Sequence, residues 1–278
     1  MDKQHFDHMI SLGREFMKMP IEDPEYQSDQ ELKLTQPPLT KQAMRESAID
    51  LPINFEDLLI ENDFLKIINT RKSERVYSEE KMSLLALSYL LWCTQGIKEI
   101  KGQNYATIRT VPCGGARHQF ECYMIIQNVN DLRDGCYHYL PLTHQVELLS
   151  IRDDLKTLIS DALGGQTWAN KANINFFYSV VAYRCEWRYG IYAHRVALID
   201  VGHISQNMYL AATSINLGGC GVGYINEAIL NSTFELDGKD EFMIYAFPVG
   251  TIKSEPKLLL KDSYALIKES KLFKSASI

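Results

Sequence analysis

No two cysteines in this sequence stand at C-x-x-C spacing; the six (93, 113, 122, 136, 185 and 220) are scattered. A zinc or iron–sulfur site needs clustered ligands, so neither is expected, and each thiol reads as a small reduced core residue. Basic excess is missing too. With 29 Lys+Arg against 35 Asp+Glu the net charge is −6, which argues against nucleic acid as the main partner. No apolar run approaches the ~20 residues of a membrane span. The longest, Ile174 to Tyr183, is interrupted by Asn175 and Ser179. The opening Met1-Asp2-Lys3-Gln4-His5 lacks the basic and apolar regions of a secretory signal. These absences lead to the expectation of a cytoplasmic protein without membrane contact. Internal repeats and low-complexity segments are also absent.

What is present is ordinary globular material: 278 residues, 46% hydrophobic and 23% charged, enough for a sizeable core. Residues 1–50 read as a separate N-terminal extension, with 10 acidic against 6 basic residues. Within it, His5 to Met19 has helical spacing of apolar residues, and Pro20 to Pro38 reads as an extended arm. Residues 51–278 read as one α+β domain: a central mixed, largely antiparallel sheet with helices on both sides. Asp57 to Asn69 reads as a short helix. Ser78 reads as the N-cap of a buried helix over Met82 to Cys93, which Gly96 ends. Phe120 to Val129 reads as a strand and Gly135 to Leu149 as a hairpin. A helix over Asp153 to Leu163, a short helix from Trp168, and a buried strand over Ile174 to Tyr183 follow. A long helix over His203 to Leu217 and a strand over Glu241 to Val249 complete the pattern.

Four stretches carry chemistry. Arg71-Lys72-Ser73-Glu74-Arg75 packs three cations and a hydroxyl into five residues ahead of a helix, a grouping suited to a phosphate; a solvated basic turn is the plainer alternative. Pro112-Cys113-Gly114-Gly115-Ala116-Arg117-His118 would let backbone approach a flat or charged ligand. A Cys113–His118 nucleophile pair would need a third orienting group, and none is supplied nearby. Gly218-Gly219-Cys220-Gly221-Val222-Gly223 is too glycine-rich to be only a helix stop. It follows a helix where the dinucleotide fingerprint requires a strand, which excludes that fingerprint. Gln166 can both donate and accept, as a ring carbonyl and its neighbouring N–H require. Arg184 to Gly190, with Trp187, Arg188 and Tyr189, reads either as a wall over a substrate or as a cation–π cluster.

Read together, these stretches resemble the FMN-dependent nitroreductase superfamily, in its SagB-type dehydrogenase branch. Arg71-Lys72-Ser73-x-Arg75 is similar to the segment that opens that fold. Pro112 to His118, with Glu121 and Tyr123, is similar to P-S-G-G-x-R-H-x-x-E-x-Y. Asp200-Val201-Gly202-His203-x-x-Gln206-Asn207 is similar to the branch's D-x-G-H-x-x-Q-N helix, and Val249-Gly250 to its closing strand. The resemblance implies an intertwined homodimer with two FMN sites at the subunit interface. Arg71, Lys72, Ser73 and Arg75 would hold the phosphate and the pyrimidine edge, and Lys253 or Lys257 would complete that end. Pro112, Cys113, Gly114, Gly115 and Ala116 would contact the cofactor from the other subunit. Gln166, Val222 and Gly223 would address the ring.

In azoline-oxidising members a Lys-Tyr pair precedes a Gly; here Arg188-Tyr189-Gly190 stands there. Tyr189 can act as acid or base, whereas Arg188 can only bind or polarise. The expectation is therefore hydride exchange between flavin N5 and a small-molecule or peptide substrate. NAD(P)H-driven nitro or quinone reduction is the near alternative, and a non-catalytic dimeric module with a vestigial flavin site the distant one.

Overall fold

A computed structural model describes residues 3–18, 25–253 and 263–269. Their elements run α1 (Lys3–Met17), β1 (Ile49–Asp50), α2 (Phe64–Thr70), α3 (Leu84–Gln95), β2 (Ile97–Lys101), β3 (Ala106–Arg109), β4 (Phe120–Ile126), β5 (Gly135–Leu140), β6 (Gln145–Ser150), α4 (Leu155–Ala162), β7 (Ile174–Val181), α5 (Ala182–Tyr189), α6 (Ala193–Ser214), β8 (Leu217–Gly219), α7 (Glu227–Thr233) and β9 (Glu241–Thr251). Seven strands form one sheet in the order β1-β6-β5-β4-β7-β9-β8, every neighbouring pair antiparallel. β2 and β3 make a separate hairpin. The single parallel feature among the described residues is an isolated bridge between Met82 and Val129.

The period-two rule explains how this sheet is covered on both faces. Cys122, Met124 and Ile126 of β4 and Phe176, Tyr178 and Val180 of β7 point into one core with α3 and α6. Tyr123, Ile125 and Phe177 point the other way, into a second core with α4 and α7. β4 and β7 are therefore apolar on both sides, as central strands between two helical layers must be.

Several expected boundaries move. Ser83, not Ser78, caps α3, its hydroxyl accepting from the Ala86 N–H at 3.1 Å; Ser78 instead bonds Thr251 beside β9. Gly96 ends α3 as expected. The helix foreseen over 57–69 is a 3-10 turn at Phe55–Asp57 and then the short α2, which Asp63 caps. The helix foreseen from His203 begins ten residues earlier, at Ala193. The β2–β3 hairpin was not foreseen, and Leu217–Gly219, expected as the end of the long helix and the start of a loop, is an edge strand. The exclusion of a dinucleotide fingerprint stands on firmer ground for it, since β8 is antiparallel to its neighbour and belongs to no βαβ unit.

Residues 26–50 lie along the body of their own chain, tied by buried carboxylates. Glu121 accepts from the Lys41 N–H, and Glu147 from those of Met44 and Arg45. His138 stands between the two, 2.7 Å from Glu147 and 3.5 Å from Glu121, while Arg184 pairs with Glu121 at 2.5 Å. Burial opposes the His138 imidazolium, but the two carboxylates outweigh it and raise its pKa. Burial likewise opposes ionisation of Glu147, yet His138 and the two backbone donors lower its pKa.

Stabilisation from His138 is thus complete below the unfolded value of about 6.5 and fades as pH rises through the raised folded value. That from Glu147 is complete above about 4.3 and fades as pH falls. The urea midpoint is expected to peak between these limits and fall on both sides. His138→Gln is expected to lower stability by about 3 kcal/mol near pH 6 and flatten the alkaline limb. An alkaline limb unchanged in that variant would show that His138 does not set it.

Candidate functional site

Two clusters form at different stretches of α6. The first gathers on Tyr209. Its hydroxyl lies 3.1 Å from Ser73 Oγ and accepts from the Gly221 N–H at 2.9 Å, and the Arg71 guanidinium sits 5.2 Å over its ring. Three separate stretches of chain meet here: the turn after α2, the C-terminal part of α6 and the glycine loop after β8.

The Arg75 guanidinium lies 5.8 Å over the Trp168 ring, and Trp168 Nε1 donates to Gln166 at 3.3 Å. Lys72 pairs with Glu74, whose N–H donates to Gly219. Gly223 and Gly165 have open space where a side chain would stand, whereas Val222 is buried and paired with Ala246. Lys253 is exposed one residue beyond Ile252, which packs against Gly218 beside Glu74. Lys257 lies outside the described residues. Neither Arg71 nor Arg75 forms an ion pair among the described residues.

The second cluster gathers on Asp200. This carboxylate, 3% exposed, accepts from the Gly114 N–H at 3.1 Å, from Gln119 Nε2 at 3.0 Å and from the Cys113 thiol at 3.1 Å. It fixes the turn in which Gly115, Ala116 and His118 all take positive φ (56°, 53° and 46°). Two of these are not glycine, so the turn stores strain that Asp200 must hold. Cys113 is no nucleophile here: burial first, and Asp200 second, push its pKa up, so it stays a protonated donor. His118 is no base either. Burial, with Arg109, Arg117 and Arg184 nearby, pulls its pKa down to about 3, and it is neutral at pH 7.

The glycines of this turn admit side chains of their own chain. A Cβ on Gly115 would overlap Arg188 and stand 2.8 Å from the Tyr189 hydroxyl; one on Gly114 would stand 2.5 Å from Val196. Arg188 and Tyr189 end α5, so the wall expected from Arg184 to Gly190 is a helix, with Arg184 and Trp187 buried and Arg188 and Tyr189 half-buried beside Gly115. Arg117 lies between the rings of Tyr105 (5.0 Å) and Trp187 (5.3 Å).

The sequence reading missed Tyr209, Trp168 and Tyr105 as members of these clusters, and it quoted Asp200 only as part of a motif. Tyr209 was findable as the only Phe, Tyr or Trp between Tyr192 and Tyr224. Asn207 itself donates to the Cys93 carbonyl at 2.9 Å and ties α6 to α3.

A sequence profile described as the Nitroreductase family matches residues 68–251. The chain belongs to the nitroreductase family. It is 28% identical, over 202 residues, to a Methanocaldococcus jannaschii protein named as a nitroreductase, MJ1384, covering 73% of this chain and 95% of that one. The trifolitoxin-processing protein TfxB of Rhizobium leguminosarum is 26% identical over 148 residues, 51% of this chain and 39% of TfxB. The microcin B17-processing protein McbC of Escherichia coli is 26% identical over 113 residues, 39% of this chain and 42% of McbC.

Among solved structures, one from Ralstonia eutropha named as a nitroreductase matches with a TM-score of 0.62 at 22% identity, over 85% of this chain and all of that one. A chain of the E. coli microcin synthetase McbBCD complex, bound to truncated pro-MccB17, matches at 0.56 and 19%, over 86% and 87%. The expected fold is thereby established, and the coarse assignment is a nitroreductase-family oxidoreductase. No helix among the described residues is long and apolar enough to cross a membrane.

Gly190 links this site to the arm. Its backbone (φ 49°, ψ −123°) excludes a side chain, and a Cβ there would overlap the Tyr26 hydroxyl. Gly190→Ala is expected to cost about 2–4 kcal/mol, from left-handed strain plus the overlap, read as a lower thermal midpoint. Adding Tyr26→Gly should recover the overlap share alone. Full recovery in the double variant would contradict the backbone argument.

Proposed function

We propose that this protein is an FMN-dependent oxidoreductase that exchanges hydride between flavin N5 and a small-molecule or peptide substrate, in a homodimer whose two sites lie between subunits. The observation that carries this reading is the meeting of Arg71, Ser73 and Gly221 on Tyr209. Arg71 and Arg75 without carboxylate partners among the described residues, a short hydroxyl, and open space beside Gly165 and Gly223 fit a ligand with an anionic phosphate at one end and a flat ring at the other. When bound, FMN supplies the hydride-carrying ring.

Arg71, Ser73 and Arg75 bind the phosphate and orient it, with Lys253 near the same end. Gln166 and the Val222–Gly223 backbone address the ring. Backbone of Pro112, Cys113, Gly114, Gly115 and Ala116 meets the cofactor from the second subunit. Tyr189 holds or gives a proton at its phenol oxygen, and Arg188 binds and polarises the substrate.

The placement of the two clusters on α6 supports the reading of two copies. Asp200 and Tyr209 are nine residues apart, about 13 Å at 1.5 Å per residue, so one chain sets its two clusters at separate stations. A second copy brings its Pro112 turn to the first copy's Tyr209 cluster. The exposed Leu198 and Ile199 of α6 and Phe64 and Leu65 of α2 are apolar surface that such a partner would cover. The relatives TfxB and McbC, named for processing trifolitoxin and microcin B17, support a peptide-type substrate; MJ1384, named as a nitroreductase, supports reduction of small nitro acceptors instead.

Arg75→Ala is expected to weaken FMN binding about tenfold to a hundredfold, the range for a hydrogen bond to a charged group. Titration of FMN into stripped protein, with circular dichroism to confirm the fold, checks this. Unchanged affinity would reject the phosphate site, and wild-type protein that takes up no FMN would favour the vestigial module.

A further inference from the structure

Arg188 is a half-buried guanidinium with no carboxylate partner among the described residues. Arg188 Nη1 donates to the Tyr105 hydroxyl, 2.9 Å away, and the side chain also hydrogen-bonds to Tyr189, whose ring centre lies 5.7 Å from its planar group. Arg117 stands behind it, 3% exposed, bonded to the carbonyls of Gly115 (3.1 Å) and Tyr105 (2.8 Å), again with no carboxylate partner among the described residues. The nearby acids are engaged elsewhere. Asp29 accepts from the Tyr183 hydroxyl, Glu186 pairs with His194, and Asp200 is taken by Gly114, Cys113 and Gln119. In a chain of net charge −6, two adjacent arginines left unneutralised are an expense that a bound anion would offset.

The corner is also held in shape. The Tyr105 hydroxyl accepts a second hydrogen bond, from Gln30 Nε2 at 2.8 Å. Gln30 is fixed in turn by its N–H, which donates to the Trp187 carbonyl at 2.8 Å, and Trp187 Nε1 donates to the Leu34 carbonyl at 3.0 Å. The arm and the β2–β3 hairpin thus aim one Arg188 nitrogen, Tyr189 makes a further contact, and no carboxylate among the described residues occupies the fork. A planar fork with free N–H groups matches a carboxylate.

We propose that Arg188, with Arg117 behind it, forms an anion-recognition corner that takes a carboxylate carried by the substrate, and that Tyr105 and Gln30 are its positioning residues. This rests on the reading of Arg188 as substrate-facing in the oxidoreductase. The carboxylate can belong to a small acid or to a peptide.

The test uses two probes of similar shape, 4-nitrobenzoate and 4-nitrobenzyl alcohol, titrated by calorimetry into the full-length protein, with flavin content read separately from its absorbance. The wild type is expected to prefer the carboxylate at least about tenfold, a charge-assisted margin. Arg188→Ala should abolish the preference. Tyr105→Phe, which keeps the ring over Arg117, and Gln30→Ala should each narrow it about threefold to fivefold. Their combination should do no more than either alone, since both break one chain of contacts. A merely structural role would weaken both probes alike and leave the ratio unchanged.

A nitrated peptide with a free C-terminus, set against its amide, separates the two carboxylate sources. An equal affinity of wild type for both small probes, or a preference that survives Arg188→Ala, overturns the proposal. Arg188-dependent preference in protein that takes up no FMN would uphold this corner and reject the flavin reading instead.

Discussion

The buried carboxylate of Asp200 is the constraint on which the rest of the molecule depends. It sits on a long helix packed into the main core, and it holds the strained Pro112–His118 turn through three donors. That turn seats Arg188 and Tyr189, and they in turn meet the hairpin and the arm. Nine residues along the same helix, Tyr209 does the corresponding work for the Ser73 turn and the glycine loop. One rigid element therefore carries two posts, and each post collects loops that would otherwise be free. Sites built on helices keep their geometry better than sites built on loops alone.

The N-terminal stretch is more closely tied than its composition suggests. Its acidic excess reads as a detached extension, yet its backbone N–H groups at Lys41, Met44 and Arg45 satisfy carboxylates buried in the body. Those carboxylates are in turn balanced by His138 and Arg184. Breaking one partner of such a network leaves an uncompensated buried charge, which is the costly event.

Much of the fold was legible because the central strands obey simple patterns. β4 and β7 are short apolar runs between turn residues, and the antiparallel hairpin of β5 and β6 announces itself through Pro141 to His144. The ends of helices were less legible. Two serines five residues apart, Ser78 and Ser83, both make plausible caps, and only packing decides between them. The first turns of α6 are hidden because the exposed Leu198 and Ile199 break the one-sided apolar spacing that Ile204, Met208, Ala211 and Ala212 keep in its later half.

For the site, the charged turn and the glycine loops could be read from residue type alone. The hubs could not. Tyr209 and Asp200 look like ordinary helix residues until three distant segments are seen to end on them, and Tyr105 lies on a hairpin whose strands are too polar to stand out. Cys113 and His118 show the converse. Their types suggest reactivity, and burial silences both.

The claim that one FMN spans a Tyr209 cluster and a second subunit's Asp200 cluster is tested most directly by a crystal structure of the protein grown with FMN. The account predicts the phosphate on Arg71, Ser73 and Arg75 of one copy, with the Pro112–Ala116 backbone of another copy against the same molecule. A flavin bound away from Tyr209, or touched by both clusters of a single copy, would contradict it.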